Sequence, residues 1–508
     1  MTHRTCSPVS TAPSAGAPPR SGRTAGRRAT LRRLVLVLAT LASLAPALRA
    51  QPPAAAPVPP LTAAVRTQVI DSLRARLAAR YVDADTATRV GALLHRRLRT
   101  GAYDTLATTA RFAEVVTRDL RTINGDLHLR LRYDPQLAGE LRAEEASAPP
   151  DGTPPRVPPP SGGPPDRFTL EARQHNYGLA KVEILPLNIG YLEIEQFMGA
   201  EGVDAAVADA LRFLARTDAV IIDVRRNGGG SGDMSHYLLS HFLGPKSVPT
   251  IRIVDRGEGD TTVLRSVEEV AGPRRPDVPL YVLASQGTGS AAEEFSFVLQ
   301  NLGRATIVGD RTAGAGHVVR TFDVGHGFVA GVSIARVTDP RSNREWERVG
   351  VQPDVRVPPE QAREAAYAHA MRTLAARTTD AERKTFLTRR AETIDAQLRA
   401  ERPDVARLAS FAGTYDGARV VRLSDGRLWY YRRPGVMPDE LVPLGGSRFA
   451  LQGATWLTFE TTGDGARMLV DRADGTKATY LRTAPATTSS ATTSSATRAA
   501  ASASGVSR

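Results

Sequence analysis

Residues 278–302, VPLYVLASQGTGSAAEEFSFVLQNL, decide how this chain is read. The apolar run Val278 to Ala284 is short and bounded by turn residues, as a buried strand is. It enters a turn, Ser285 to Gly289, and then a helix from about Ala291 to Leu302, with Ser290 at the N-cap and Glu293 three residues on, the spacing of a capping box. A further strand, Ala305 to Val308, follows. The same order appears upstream, where Ile189 to Phe197 reads as strand, Val203 to Leu214 as helix and Ala219 to Val224 as strand. Strands alternating with helices are the α/β pattern.

On either side of this segment the texture changes. Residues 61–134 show apolar spacings of three and four (Val69, Ile70, Leu73, Leu77) and read as an N-terminal helical bundle. Residues 135–167 contain ASAPPDGTPPRVPPPSGGPPD and read as a proline-rich linker or loop, since proline removes donors and blocks helix. The core spans 168–375 and a helical connector 376–403. Residues 404–483 carry short alternating runs with Asp-Gly and Gly-Gly turns, expected to form a small antiparallel β-domain. The Ala/Thr/Ser repetition of 484–508 reads as a disordered tail.

The net charge of +13 suggests nucleic-acid binding until it is located. Eight arginines in residues 1–50, with no Lys, Asp or Glu there, and Arg498 and Arg508 in the tail account for ten, leaving +3 for residues 51–497. A body so near neutral lacks a polyelectrolyte footprint, which argues against nucleic acid. The basic residues Arg27, Arg28, Arg32 and Arg33 precede the apolar run Leu34 to Leu48, the arrangement of an export signal over residues 1–50, followed by a proline-rich spacer at 51–60. The expected location is exported, periplasmic or secreted. A retained anchor is the alternative, but the run is short for a stable membrane span. Cys6 precedes it, so the exported chain would have no thiol or disulfide.

Two turns could carry chemistry. Asp223-Val224-Arg225-Arg226-Asn227-Gly228-Gly229-Gly230 ends a strand, and its glycines permit positive φ and converging N–H groups. No Lys-Ser/Thr pair follows them, which weakens a phosphate cradle. Ser290 is either a helix cap or a nucleophile whose oxyanion would face the helix N-terminus.

The ordered blocks Asp223 to Gly230, Thr288 to Glu293, Gly303 to Gly309, Thr312 to Gly314 and Gly350 to Asp354 resemble the tail-specific, C-terminal processing serine peptidases. The helical leader ending in Gly125-Asp126-Leu127-His128 is similar to the subgroup that includes interphotoreceptor retinoid-binding protein repeats and the tricorn core protease. The resemblance implies a crotonase-like α/β core, a polypeptide substrate, and neither a metal nor an organic cofactor. No PDZ segment is visible where the family usually has one.

One departure bears on mechanism. The family's usual base is a lysine in Thr-x-Gly-Lys-Gly, and here that position is Ala315. The four lysines, Lys181, Lys246, Lys384 and Lys477, lie outside every block. Histidine is the side chain suited to replace it at neutral pH. His128 matches the tricorn-like base by resemblance, with His317 as the alternative. By the same resemblance Glu347 would support the base, with Asp126 as fallback, and the N–H groups of Gly229 and Ala291 would bind the oxyanion. His236 and His241 lack a third ligand at metal spacing. The expectation is an exported serine peptidase with a Ser290, His128, Glu347 site. A non-catalytic module binding an apolar ligand or peptide on the same scaffold is the alternative, and the oligomeric state is left open.

Overall fold

The computed structural model of the protein describes residues 60–147, 167–257, 259–399, 404–462 and 465–485. The expected export signal and most of the spacer, the proline-rich part of the linker and nearly all of the tail lie outside these residues. Among the described residues no helix is long and apolar enough to cross a membrane.

The chain opens with α1 (Ala63–Arg80), α2 (Ala84–Arg99) and α3 (Thr109–Arg121), then β1 (Arg130–Tyr133), α4 (Pro135–Ser147) and α5 (Arg167–Gln174). Residues 135–147 are thus helix where the linker was expected to begin. Pro135 falls at the first helical position, where its missing N–H costs nothing, and the Asp134 side chain accepts from Leu137 N–H at 3.0 Å.

The α/β body follows as β2 (Leu179–Leu185), β3 (Ile189–Ile194), α6 (Val203–Phe213), β4 (Ala219–Asp223), α7 (Gly232–Ser240), β5 (Pro249–Asp255), β6 (Thr261–Arg265), β7 (Leu280–Ala284), α8 (Ala291–Asn301), β8 (Thr306–Gly309), β9 (Val318–Asp323), β10 (Phe328–Thr338), β11 (Val355–Arg356), α9 (Ala362–Arg377) and α10 (Ala381–Arg399). The central sheet has the order β11-β8-β7-β4-β3-β2, parallel throughout except for the antiparallel β2–β3 pair. Its inner strands β4 and β7 are buried at every residue. The reason is coverage of both faces: Val220, Ile222, Val282 and Ile307 pack with α6, α7 and α8, while Ile221, Tyr281, Leu283 and Val308 pack with α9 and α10. Such strands read as continuous apolar runs instead of alternating ones.

A second sheet, β1-β10-β5-β6 with β9 also on β10, is antiparallel. Helices α1 to α3 share one core with it, in which Leu73, Leu94, Phe112 and Val116 meet Leu129, Leu131, Phe328 and Ala330. The helices bury their apolar stripes against β1, β9 and β10 as well as against one another.

After α11 (Val405–Phe411), eight strands, β12 (Gly413–Tyr415), β13 (Arg419–Ser424), β14 (Arg427–Tyr431), β15 (Asp439–Gly445), β16 (Arg448–Leu451), β17 (Thr455–Thr462), β18 (Gly465–Asp471) and β19 (Lys477–Pro485), close into an antiparallel barrel. Closure leaves no sheet edge. Its interior is filled by Tyr415, Phe449, Leu457, Phe459 and Met468, with Phe411 of α11 among them. The barrel docks on α10: Arg389 donates to the Asp471 and Ala454 carbonyls and its guanidinium lies 4.3 Å from the Trp456 ring centroid, while the Thr393 hydroxyl donates to Gly453 O.

Candidate active site

The turns leaving the carboxyl ends of β4 and β7 are adjacent because the two strands are neighbours in the central sheet. Crevices of this kind are where open α/β sheets place their ligands. Asp223, at the end of β4, is structural: buried, it accepts from Tyr191 OH at 2.7 Å and from the Arg225 backbone and side chain, while Arg225 also donates to Pro359 O. Of the glycines that follow, Gly229 and Gly230 fit only as glycines. A Cβ on Gly230 would lie 1.9 Å from Phe197 O, and one on Gly229 would lie 2.7 Å from Ser290 Cβ.

Ser290 has φ 51° and ψ −119°, the conformation of the first central residue of a type II′ turn, which favours glycine. Holding a serine there costs of order 1–3 kcal/mol. Glu293 helps to hold the turn. Its Oε2 accepts from Ser290 N–H at 2.9 Å and Ala315 N–H at 2.7 Å, and its Oε1 accepts from Gly314 N–H at 2.6 Å and from the Thr312 hydroxyl. The glutamate first read as half of a capping box therefore ties the α8 terminus to the Thr312–Gly316 turn. Burial raises its pKa, against these hydrogen bonds.

His128 Nε2 stands 3.3 Å from Ser290 Oγ. The histidine precedes β1, and the adjoining Leu129 and the β1 residue Leu131 are anchored in the core beneath α1 to α3; the His128 backbone N–H donates to Asp126 Oδ1 at 2.9 Å. Its Nδ1 is buried without a hydrogen-bond partner among the described residues. Burial pushes the imidazole down to about 4, against the pull of Asp126 and reinforced by His317, Arg130 and Arg121.

His317 does not reach Ser290 through any hydrogen bond; its Nδ1 lies 3.4 Å from Asp126 Oδ2 and 3.6 Å from Glu347 Oε2. Glu347 differs from expectation in its partner. It does not hydrogen-bond His128; its Oε2 accepts from Gly316 N–H at 2.7 Å and His317 N–H at 3.2 Å. The reason is local: Gly316 lacks a side chain, so the turn lies directly on Glu347, whose backbone N would be 2.8 Å from a Cβ there. The carboxylate that holds the His128 backbone is Asp126. It is fully buried, also accepts from Tyr81 OH at 2.9 Å, and sits at about 2: burial raises it, but the hydrogen bond and charge of His317 and the His128 N–H lower it further. Tyr81 itself receives a bond from Asn124 at 2.6 Å. Tyr81 and Asn124 were missed in the sequence reading; the nearest signal was the Gly125 to His128 stretch.

The oxyanion donors also need revision. Gly229 N–H is already given to Asn227 Oδ1 at 2.9 Å in a local side-chain turn. Ala291 N–H has no acceptor among the described residues, and neither does Gly230 N–H. A cavity of about 410 Å³ opens over Ser290, lined by His128, Arg130, Glu195, Gln196, Gly228, Gly229, Gly230 and Val319. Ala315, at the family's lysine position, is buried and contributes only its N–H. Asp126, His317 and Glu347 form the one group of His, Cys, Asp or Glu with metal-like proximity among the described residues, and they are engaged with one another and with backbone donors.

Comparison with known proteins places this region. Peptidase family S41 matches residues 188–357. The chloroplastic C-terminal processing peptidase of Tetradesmus obliquus is 30% identical over 180 residues, covering 34% of this chain and 36% of that protein. The carboxyl-terminal-processing protease of Synechocystis sp. is 30% identical over 169 residues, 33% of this chain and 37% of that one. The match thus spans about a third of the length of these relatives. Among solved structures, the photosystem II D1 C-terminal processing protease aligns at 19% identity and TM-score 0.36 over 58% of this chain and 93% of its own, and the tricorn protease at 15% and 0.34 over 59% and 35%. Residues 188–357, whose strands and turns carry Ser290, thus match peptidase family S41, and the same region is similar to the C-terminal processing proteases.

Proposed function

We propose that this chain is an exported serine peptidase that cleaves polypeptides through an acyl-enzyme, with histidine in place of the family's lysine. The observation that carries the reading is the 3.3 Å approach of His128 Nε2 to the oxygen of a serine held in a glycine-like backbone conformation. In this reading Ser290 Oγ attacks the scissile carbonyl as His128 Nε2 takes its proton, and the imidazolium returns that proton to the leaving amine. The oxyanion donors are Ala291 N–H, at the α8 terminus as expected, and Gly230 N–H in place of Gly229. Asp126 positions His128 and favours the imidazolium formed during attack, while Glu347 acts at one remove, on His317. Export is proposed from the basic and apolar pattern of residues 1–50.

The alternative of an apolar-ligand module requires a dry cavity beside a misaligned serine. The cavity over Ser290 instead carries His128, Arg130, Glu195 and Gln196. The test is labelling by a fluorophosphonate probe. Wild-type protein should react covalently and Ser290→Ala should not; equal labelling of both would remove Ser290 from the reaction.

A further inference from the structure

Arg130 lies two residues beyond His128 and lines the same cavity over Ser290. Leu129 and Leu131 point into the core, so alternation along β1 turns Arg130 to the other face. Among the described residues its side chain has neither an ion pair nor a hydrogen bond, although its neighbours are committed: Arg121 donates to the Leu127 and Leu129 carbonyls, and Arg132 pairs with Asp134 at 3.4 Å. The one carboxylate lining the cavity, Glu195, is held by Arg226 at 2.7 Å. Partial desolvation in the cleft and the charges of Arg132 and Arg121 disfavour the Arg130 cation, although the residue stays exposed to solvent. Its stem rests on Gly331, where a Cβ would lie 3.2 Å from Arg130 Cγ. This unpaired guanidinium rests on the one glycine of β10, lines the cavity over Ser290 and is free to take an anion there.

We infer that Arg130 is a specificity-determining residue, which takes a carboxylate of the bound peptide beside the scissile bond. A planar fork of donors suits a carboxylate bidentately, and the source can be an acidic side chain or a free C-terminus. The inference rests on the proposed function in taking a peptide as the ligand.

The test measures binding to full-length Ser290→Ala protein, which separates recognition from turnover. The probes are fluorescein-labelled octapeptides of one neutral sequence: amidated, with a free C-terminal acid, and amidated with a single aspartate walked through the positions. A carboxylate-bearing peptide should bind roughly tenfold or more tightly than the neutral amide, as expected for a charge-assisted hydrogen bond. Adding Arg130→Gln should level the affinities, and Arg130→Lys should retain part of the preference. Tightening by the free acid alone identifies a C-terminus; tightening by aspartate at one position identifies a side chain. Equal or undetectable binding of all probes, or a preference that survives Arg130→Gln in protein of unchanged melting temperature, overturns the assignment. Wild-type protein that never cuts peptides bound with this preference would instead overturn the peptidase reading and leave Arg130 standing.

Discussion

His128 Nε2 and Ser290 Oγ lie 3.3 Å apart although 162 positions separate the residues in the chain. One is held by the core beneath α1 to α3, the other by the carboxyl end of the central sheet. Neither core alone assembles the pair.

The backbone at Ser290 gives the first prediction. Ser290→Gly removes the serine but also relaxes a conformation that favours glycine, and should raise unfolding stability by about 1 kcal/mol over Ser290→Ala in urea titrations. Both variants should be inactive. A less stable glycine variant would show that the turn is not strained.

Substitutions at the two histidines should rank clearly. His128→Ala removes the group facing the nucleophile and should lower kcat/KM by several orders of magnitude. His317→Ala should cost less in turnover, but removes the side chain that Asp126 and Glu347 share and should destabilise the fold by about 1–3 kcal/mol. Steady-state kinetics beside thermal melts separate the two effects, and the reverse ranking in turnover would make His317 the base.

Acidification provides a third test. With the folded His128 at about 4 against an ordinary 6.5, the imidazole stays neutral and able to accept a proton well below neutrality. The acid limb of kcat/KM should therefore fall near pH 4, not near 6.5. The same shift acts on stability: the unfolded chain binds the proton first, so the contribution is intact above pH 6.5 and is lost as pH falls toward 4, amounting to about 3 kcal/mol. Asp126, also depressed, adds a further loss as pH falls from its ordinary 3.8 toward 2. His128→Gln should flatten the stability profile between pH 6.5 and 4; an unchanged profile would assign the slope elsewhere.

The barrel provides the fourth. A chain ending at residue 402 removes α11 and β12 to β19 and none of the residues around Ser290. It should hydrolyse a short unstructured peptide at a rate similar to the full chain, with some loss of stability from exposing Arg389 and Thr393 on α10. Abolished hydrolysis in a still-folded truncation would bring the barrel into the catalytic unit.

Much of this arrangement could be read before the fold was seen, for reasons that differ by residue. Val278 to Ala284 and Ala219 to Val224 are apolar throughout because both faces are covered, and glycines and a serine at their ends mark the turns. Ser290 could be named as a candidate through the ordered blocks, and His128 through the helical leader that ends in it. What stayed hidden depends on side-chain direction in three dimensions. The turn at Gly316 presses onto Glu347 and gives that carboxylate to His317; Asn227 captures the Gly229 N–H; Tyr81, at the end of α1, reaches Asp126. Local composition carries none of these. The helix at 135–147 was masked by the proline-rich stretch beside it, whose composition dominates any window that includes both.

The placement of His128 and Ser290 on separate cores bears on when such an enzyme can be dangerous. In the proposed reading, a chain that is still folding holds its serine without its base until residues 61–134 have settled on the second sheet. Partial loosening of that sheet would disarm the serine while the central sheet stayed intact. In that reading, the late meeting of the two cores would itself restrain self-digestion by a partly folded chain.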